Sequence, residues 1–118
     1  MTLEEFEKLV AAALKDLPEA FREKMNNVAV VVADAPTSAQ ARRFGTGLMG
    51  LYEGIPLADR TTGYSGAMPD KITIFRKSVE AVCATRAEIP DEVRHVVMHE
   101  IAHHFGIDDD ELKRKGLY

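Results

Sequence analysis

The segment from Pro90 to Phe105 constrains the fold more than any other part of the chain. Val93, Val96, Val97, Ile101 and Phe105 recur at helical spacing, so much of one helix must be buried. Set among these apolar positions is His99-Glu-Ile-Ala-His-His104. Burying imidazoles and a carboxylate is costly unless each finds a hydrogen-bond partner or a cation. The chain must therefore place this helix centrally and satisfy its polar side chains. Residues four apart lie on one helix face, one turn above the other. His99 and His103 can thus turn both rings towards one ion, at Zn–N distances of about 2.0–2.1 Å. Glu100 is rotated about 100° from His99. That puts it beside the ion, where a carboxylate can take a proton from water and return it.

Two imidazoles leave a metal short of ligands. Gly106 follows His103 by three residues, and a glycine there can adopt the left-handed conformation that ends a helix. Three residues further on stands Asp109, giving the spacing H-E-x-x-H-x-x-G-x-x-D. A carboxylate returning from that turn completes a three-ligand site for one Zn2+ per chain, with a fourth position open. Asp108 and Asp110 flank it, and a shift of one residue in the turn would present either instead. A chance H-E-x-x-H in a chain this long has odds on the order of a few in a thousand, and the added Gly and acid lower them further. His104 points about 100° away from His103 and is expected to back the site or to sit hydrogen-bonded in the core. His95, one turn before His99, is expected to face solvent, because three His along a helix span too far for one ion.

The rest of the chain fits a single domain. Its 118 residues suit one α+β unit. No apolar run reaches the ~18 residues that a membrane span needs. The start, Met-Thr-Leu-Glu-Glu-Phe-Glu, is acidic and amphipathic rather than basic and then apolar, and Cys83 has no second Cys to pair with. Both point to a cytoplasmic protein. A net charge of −4 with dispersed basic residues argues against nucleic acid as a partner.

Thr2 caps a helix carrying Leu3, Phe6, Val10, Ala13 and Leu17, with Glu4 and Glu5 in its first turn. A short helix is expected over 18–24, a buried strand over 28–33, a short helix over 37–43 and a strand over 45–53. Residues 54–70 form a long loop rich in Gly, Pro, Asp, Thr and Ser. The alternation over 71–76 predicts an edge or half-buried strand, with Ile72 and Ile74 on one side. An extended peptide could add to its Ile72, Thr73 and Ile74. A helix is expected over 78–86, with Cys83 in its core. For a second donor to a developing oxyanion, Tyr64 in the long loop is the first candidate, with Tyr52 and His104 behind it. Its bland alternative is a loop residue packing its ring.

Three stretches resemble the small bacterial minimal zincin family of zinc-dependent metallopeptidases: Gly50-Leu-Tyr-Glu-Gly-Ile-Pro-Leu57, Pro69-Asp-Lys-Ile-Thr-Ile-Phe-Arg76, and His99-Glu-Ile-Ala-His-His-Phe-Gly-Ile-Asp-Asp109. H-E-x-x-H-x-x-G is also shared with the metzincins, which place His at the position of Asp109. The resemblance implies a zincin-like α+β fold, a small mixed sheet packed against the metal helix, with an edge strand along the cleft. It implies ligands His99, His103 and Asp109, with Glu100 as general base. The implied substrate is a peptide or unfolded protein, and a protein partner could complete the site. Two other classes stand beside this reading. One is a non-catalytic, zinc-stabilised binding module. The other is a metal-dependent endoribonuclease resembling those with H-G-x-x-H-x-x-G-x-x-H, which have Gly at Glu100 and His at Asp109.

Overall fold

The structure is a computed structural model and describes residues 1–23, 25, 28–54, 70–107, 110 and 114. Helix α1 (Leu3–Lys15) begins at a capping box: the Thr2 side chain accepts from the Glu5 N–H, and the Glu5 carboxylate accepts from the Thr2 N–H. It buries Phe6, Val10 and Ala13. Pro18 caps a single turn, α2 (Glu19–Arg22), instead of opening a longer helix. Strand β1 (Val28–Ala33) follows, and then α3 (Ser38–Phe44), which starts at a second capping box between Thr37 and Gln40.

Gly45, at φ +96°, terminates α3. The strand expected from residue 45 therefore begins only at β2 (Gly50–Glu53). Strand β3 (Asp70–Phe75) runs directly into α4 (Arg76–Ala81), so the helix expected over 78–86 starts and ends earlier. Cys83 lies beyond its end, partly buried, rather than in a helical core. A short 3-10 turn (Arg86–Glu88) leads into α5 (Ile89–His104), with Pro90 in its first turn.

The sheet order is β1-β3-β2, with β1 parallel and β2 antiparallel to β3. This corrects one expectation. Ile72, Thr73 and Ile74 lie on the central strand, each paired with β1 on one side and β2 on the other. Their backbone is committed to the sheet, so no peptide can add there. Helix α1 packs against α5, and the two lie on the sheet, α1 against β1 and α5 against β2 and β3. Their shared core joins Phe6, Val10, Ala13 and Leu17 to Ile72 and Ile74 and to Val93, Val96, Val97 and Ile101. Among the described residues no helix is long and apolar enough to cross a membrane.

Candidate metal centre

The buried stripe of α5 runs through Ile89, Val93, Val96, Val97, Glu100, Ile101 and His104. Two polar side chains therefore enter the interior with the apolar ones, while His95, His99 and His103 lie along the helix flank. The His99 and His103 rings stand 4.7 Å apart between centroids and nearly perpendicular, at 88°. This is the one-turn stacking that the four-residue spacing demands. His103 keeps 36% of its side chain exposed, whereas Glu100 keeps 9%. Nδ1 of His103 and Oε2 of Glu100 are 3.3 Å apart.

His99 and Glu100 also line a cleft of about 210 Å3 with Met49, Gly50, His95 and Val96. His95 is 46% exposed, as expected for a solvent-facing residue, yet it borders this cleft with its ring 6.4 Å from that of His99. Strand β2 closes the inner side of the cleft. It is an edge of the described sheet, and its Gly50 rests on the Glu100 side chain.

Behind the flank lies a polar cluster in the core. His104 is fully buried, and its Nδ1 donates to Oδ2 of Asp70 at 2.9 Å. Asp70 is 1% exposed, and the same oxygen accepts from the Tyr52 hydroxyl at 2.8 Å. A Cβ on Gly54, at φ +155°, would collide with the other carboxylate oxygen, so the residue that follows β2 also presses on this group. The carboxylate thus fastens α5 to both β2 and β3. The placement corrects the idea of His104 as an oxyanion donor: it is inaccessible and faces Asp70, in keeping with the core role expected for it. Tyr52 likewise directs its hydroxyl to Asp70 rather than to the cleft.

The chemistry of the donors suits zinc, since two neutral imidazoles one helical turn apart beside a carboxylate are an ordinary partial set for this ion. A third donor is still required. Among the described residues no three His, Cys, Asp or Glu side chains converge. The expected third ligand Asp109, its neighbour Asp108 and the candidate Tyr64 lie outside the described residues. The turn that leads to them is in place. Gly106 adopts φ +76°, its N–H donates to His103 O, and the Ile107 N–H donates to Ala102 O, both at 2.9 Å. These are the two bonds of a Schellman motif, and they end α5.

Two residues of this region escape sequence reading. Asp70 reads as the last loop residue, although a buried His104 signals that some acceptor must reach it. Gly50 reads only as a weak strand former, because its neighbour in space is 50 residues away in the chain.

The sequence model of the zincin-like metallopeptidase family matches residues 25–117. That span includes β1, β2, β3, α5 and all the cleft residues. No curated protein matches the chain.

Proposed function

The chain belongs to the zincin-like metallopeptidase family, and on that premise we propose that it hydrolyses peptide bonds with Glu100 as general base and a zinc ion held by His99, His103 and Asp109. The observation that carries this is the position of the Glu100 carboxylate. It is largely buried, beside the paired imidazoles and on the wall of an open cleft. A zinc site serving folding alone has no need of a carboxylate poised next to its ligands.

Bound there, zinc supplies Lewis acidity, which lowers the pKa of water and polarises a carbonyl. The protein's own groups do the rest. Glu100 takes the proton from the attacking water and passes it to the departing amine. Its burial limits competing water and keeps the carboxylate from swinging away. An extended peptide would lie along β2, the edge that borders the cleft, and not along β3. Met49 and Phe75 share a backbone hydrogen bond of 2.9 Å, and antiparallel alternation then turns the peptide groups of Gly50 away from β3, towards such a substrate. Met49 and Val96 give the cleft an apolar side that would receive a side chain next to the scissile bond.

The test is cleavage of a quenched, unfolded protein by the zinc-loaded chain beside Glu100→Gln prepared in the same way. The proposal expects turnover that falls by about a hundredfold or more in the variant while zinc stays bound. Full zinc occupancy without turnover in either protein would refute it and favour the zinc-stabilised binding module.

A further inference from the structure

We infer that Gly50 is a positioning residue for Glu100, kept without a side chain so that β2 can press directly on the Glu100 methylenes and hold the carboxylate beside the His pair. The inference rests on the proposed role of Glu100, and its geometry stands independently of that role. An ideal Cβ built on Gly50 would lie 2.8 Å from Cγ of Glu100, 3.2 Å from its Cδ and 3.0 Å from Cγ1 of Val96. The contact with Glu100 Cγ is shorter than real Cβ atoms make, so that side chain must shift, while Val96 Cγ1 and Glu100 Cδ would each have to give by a few tenths of an ångström; Cγ of a buried helical residue is not a flexible tip that can drift aside.

The backbone gives no other reason for a glycine here. Among the described residues the glycines with positive φ are Gly45, Gly54 and Gly106, so Gly50 has a conformation open to any residue. It is buried and pairs with Ile74 inside the sheet. Although it opens β2 rather than sitting mid-strand, glycine there still forgoes the side chain that favours strand pairing. What the missing side chain provides is room for Glu100. The carboxylate end is then bounded by β2 at its methylenes and by Nδ1 of His103 at Oε2. The direction of the carboxylate is thereby set by a strand that the substrate itself would touch.

The experiment is a double-mutant cycle between Gly50→Ala and Glu100→Ala, read first by thermal unfolding and then by steady-state kinetics. Gly50→Ala alone is expected to lower the melting temperature by about 4 °C or more. In the Glu100→Ala background the same change is expected to be neutral or stabilising, because the colliding side chain is gone and alanine suits a strand better. In the otherwise natural chain Gly50→Ala should lower kcat by about tenfold to a hundredfold, with KM within about twofold and zinc occupancy unchanged. An equal loss of stability in both backgrounds, or relief by Val96→Ala but not by Glu100→Ala, would overturn the inference. So would unchanged kcat in a folded, zinc-loaded Gly50→Ala protein. If the natural chain turns over no substrate, the peptidase reading fails, and the thermal cycle alone decides whether Gly50 places the carboxylate.

Discussion

Replacing Asp70 by Ala removes the acceptor that joins α5 to the sheet, and the cost can be worked from two of its partners, His104 and Tyr52. His104 is wholly buried, so its Nδ1 would lose the Asp70 carboxylate with no water to replace it. Its Nε2 already has no hydrogen-bond partner among the described residues. A buried donor stranded in this way costs about 2–3 kcal/mol. Tyr52 is only half-buried, so water can partly rescue its hydroxyl, and about 1 kcal/mol is expected there. The sum, about 3–4 kcal/mol, is a large share of the roughly 5–15 kcal/mol that holds a typical domain together. At about 4 °C per kcal/mol, the melting temperature should fall by about 12–16 °C. Asp70→Asn keeps one acceptor oxygen and should lose about half as much. Urea unfolding followed by circular dichroism, with all three proteins at one pH, reads these differences directly. A loss below about 1 kcal/mol for Asp70→Ala would refute the claim that this carboxylate is the tie between α5 and the β2–β3 pair.

Two further predictions concern pH. The Glu5 carboxyl is held below the usual carboxylate range by the Thr2 backbone N–H first and the Thr2 hydroxyl next, with Arg86 adding to this. Its contribution to stability is therefore present above the pKa of the unfolded side chain and is lost as pH falls through the folded value, so acid titrations of Glu5→Gln should show a shallower decline than the natural chain; identical curves would contradict this. Burial pushes the Cys83 thiol up, with smaller upward contributions from Glu92, Glu88 and Glu80, and its Sγ faces Val79 O at 3.4 Å. Near neutral pH iodoacetamide should label the folded protein much more slowly than the urea-unfolded one, and the stabilising effect of the protonated thiol should fade as pH rises from the unfolded towards the folded pKa; equal labelling rates would contradict it.

Much of the site is legible in local sequence because its geometry is local. The His99–His103 spacing, the inward rotation of Glu100 and the left-handed Gly106 all depend on one helix and its end, and the structure shows each. The Thr2 cap and β1 are local in the same way. What depends on pairing across the chain is harder to read. The alternation Lys71-Ile-Thr-Ile-Phe75 resembles a strand with one wet face, yet Thr73 is buried along with the isoleucines, and β1 and β2 flank β3 on both sides. Nothing near Ile72 records those partners. Gly45 looks like the start of a strand, but its positive φ makes it the stop of α3 instead. Asp70 and Gly50 acquire their roles from His104 and Glu100, which only the closed fold brings against them.

The central claim is that α5 is a metal helix, and zinc stoichiometry tests it most directly. The natural chain, His99→Ala and His103→Ala would each be stripped with chelator, equilibrated with zinc and examined by native mass spectrometry. The account predicts one zinc per natural chain and loss of most of it in either His variant, with circular dichroism showing that the variants remain folded. A folded natural chain that takes up no zinc, or variants that retain it fully, would contradict the account.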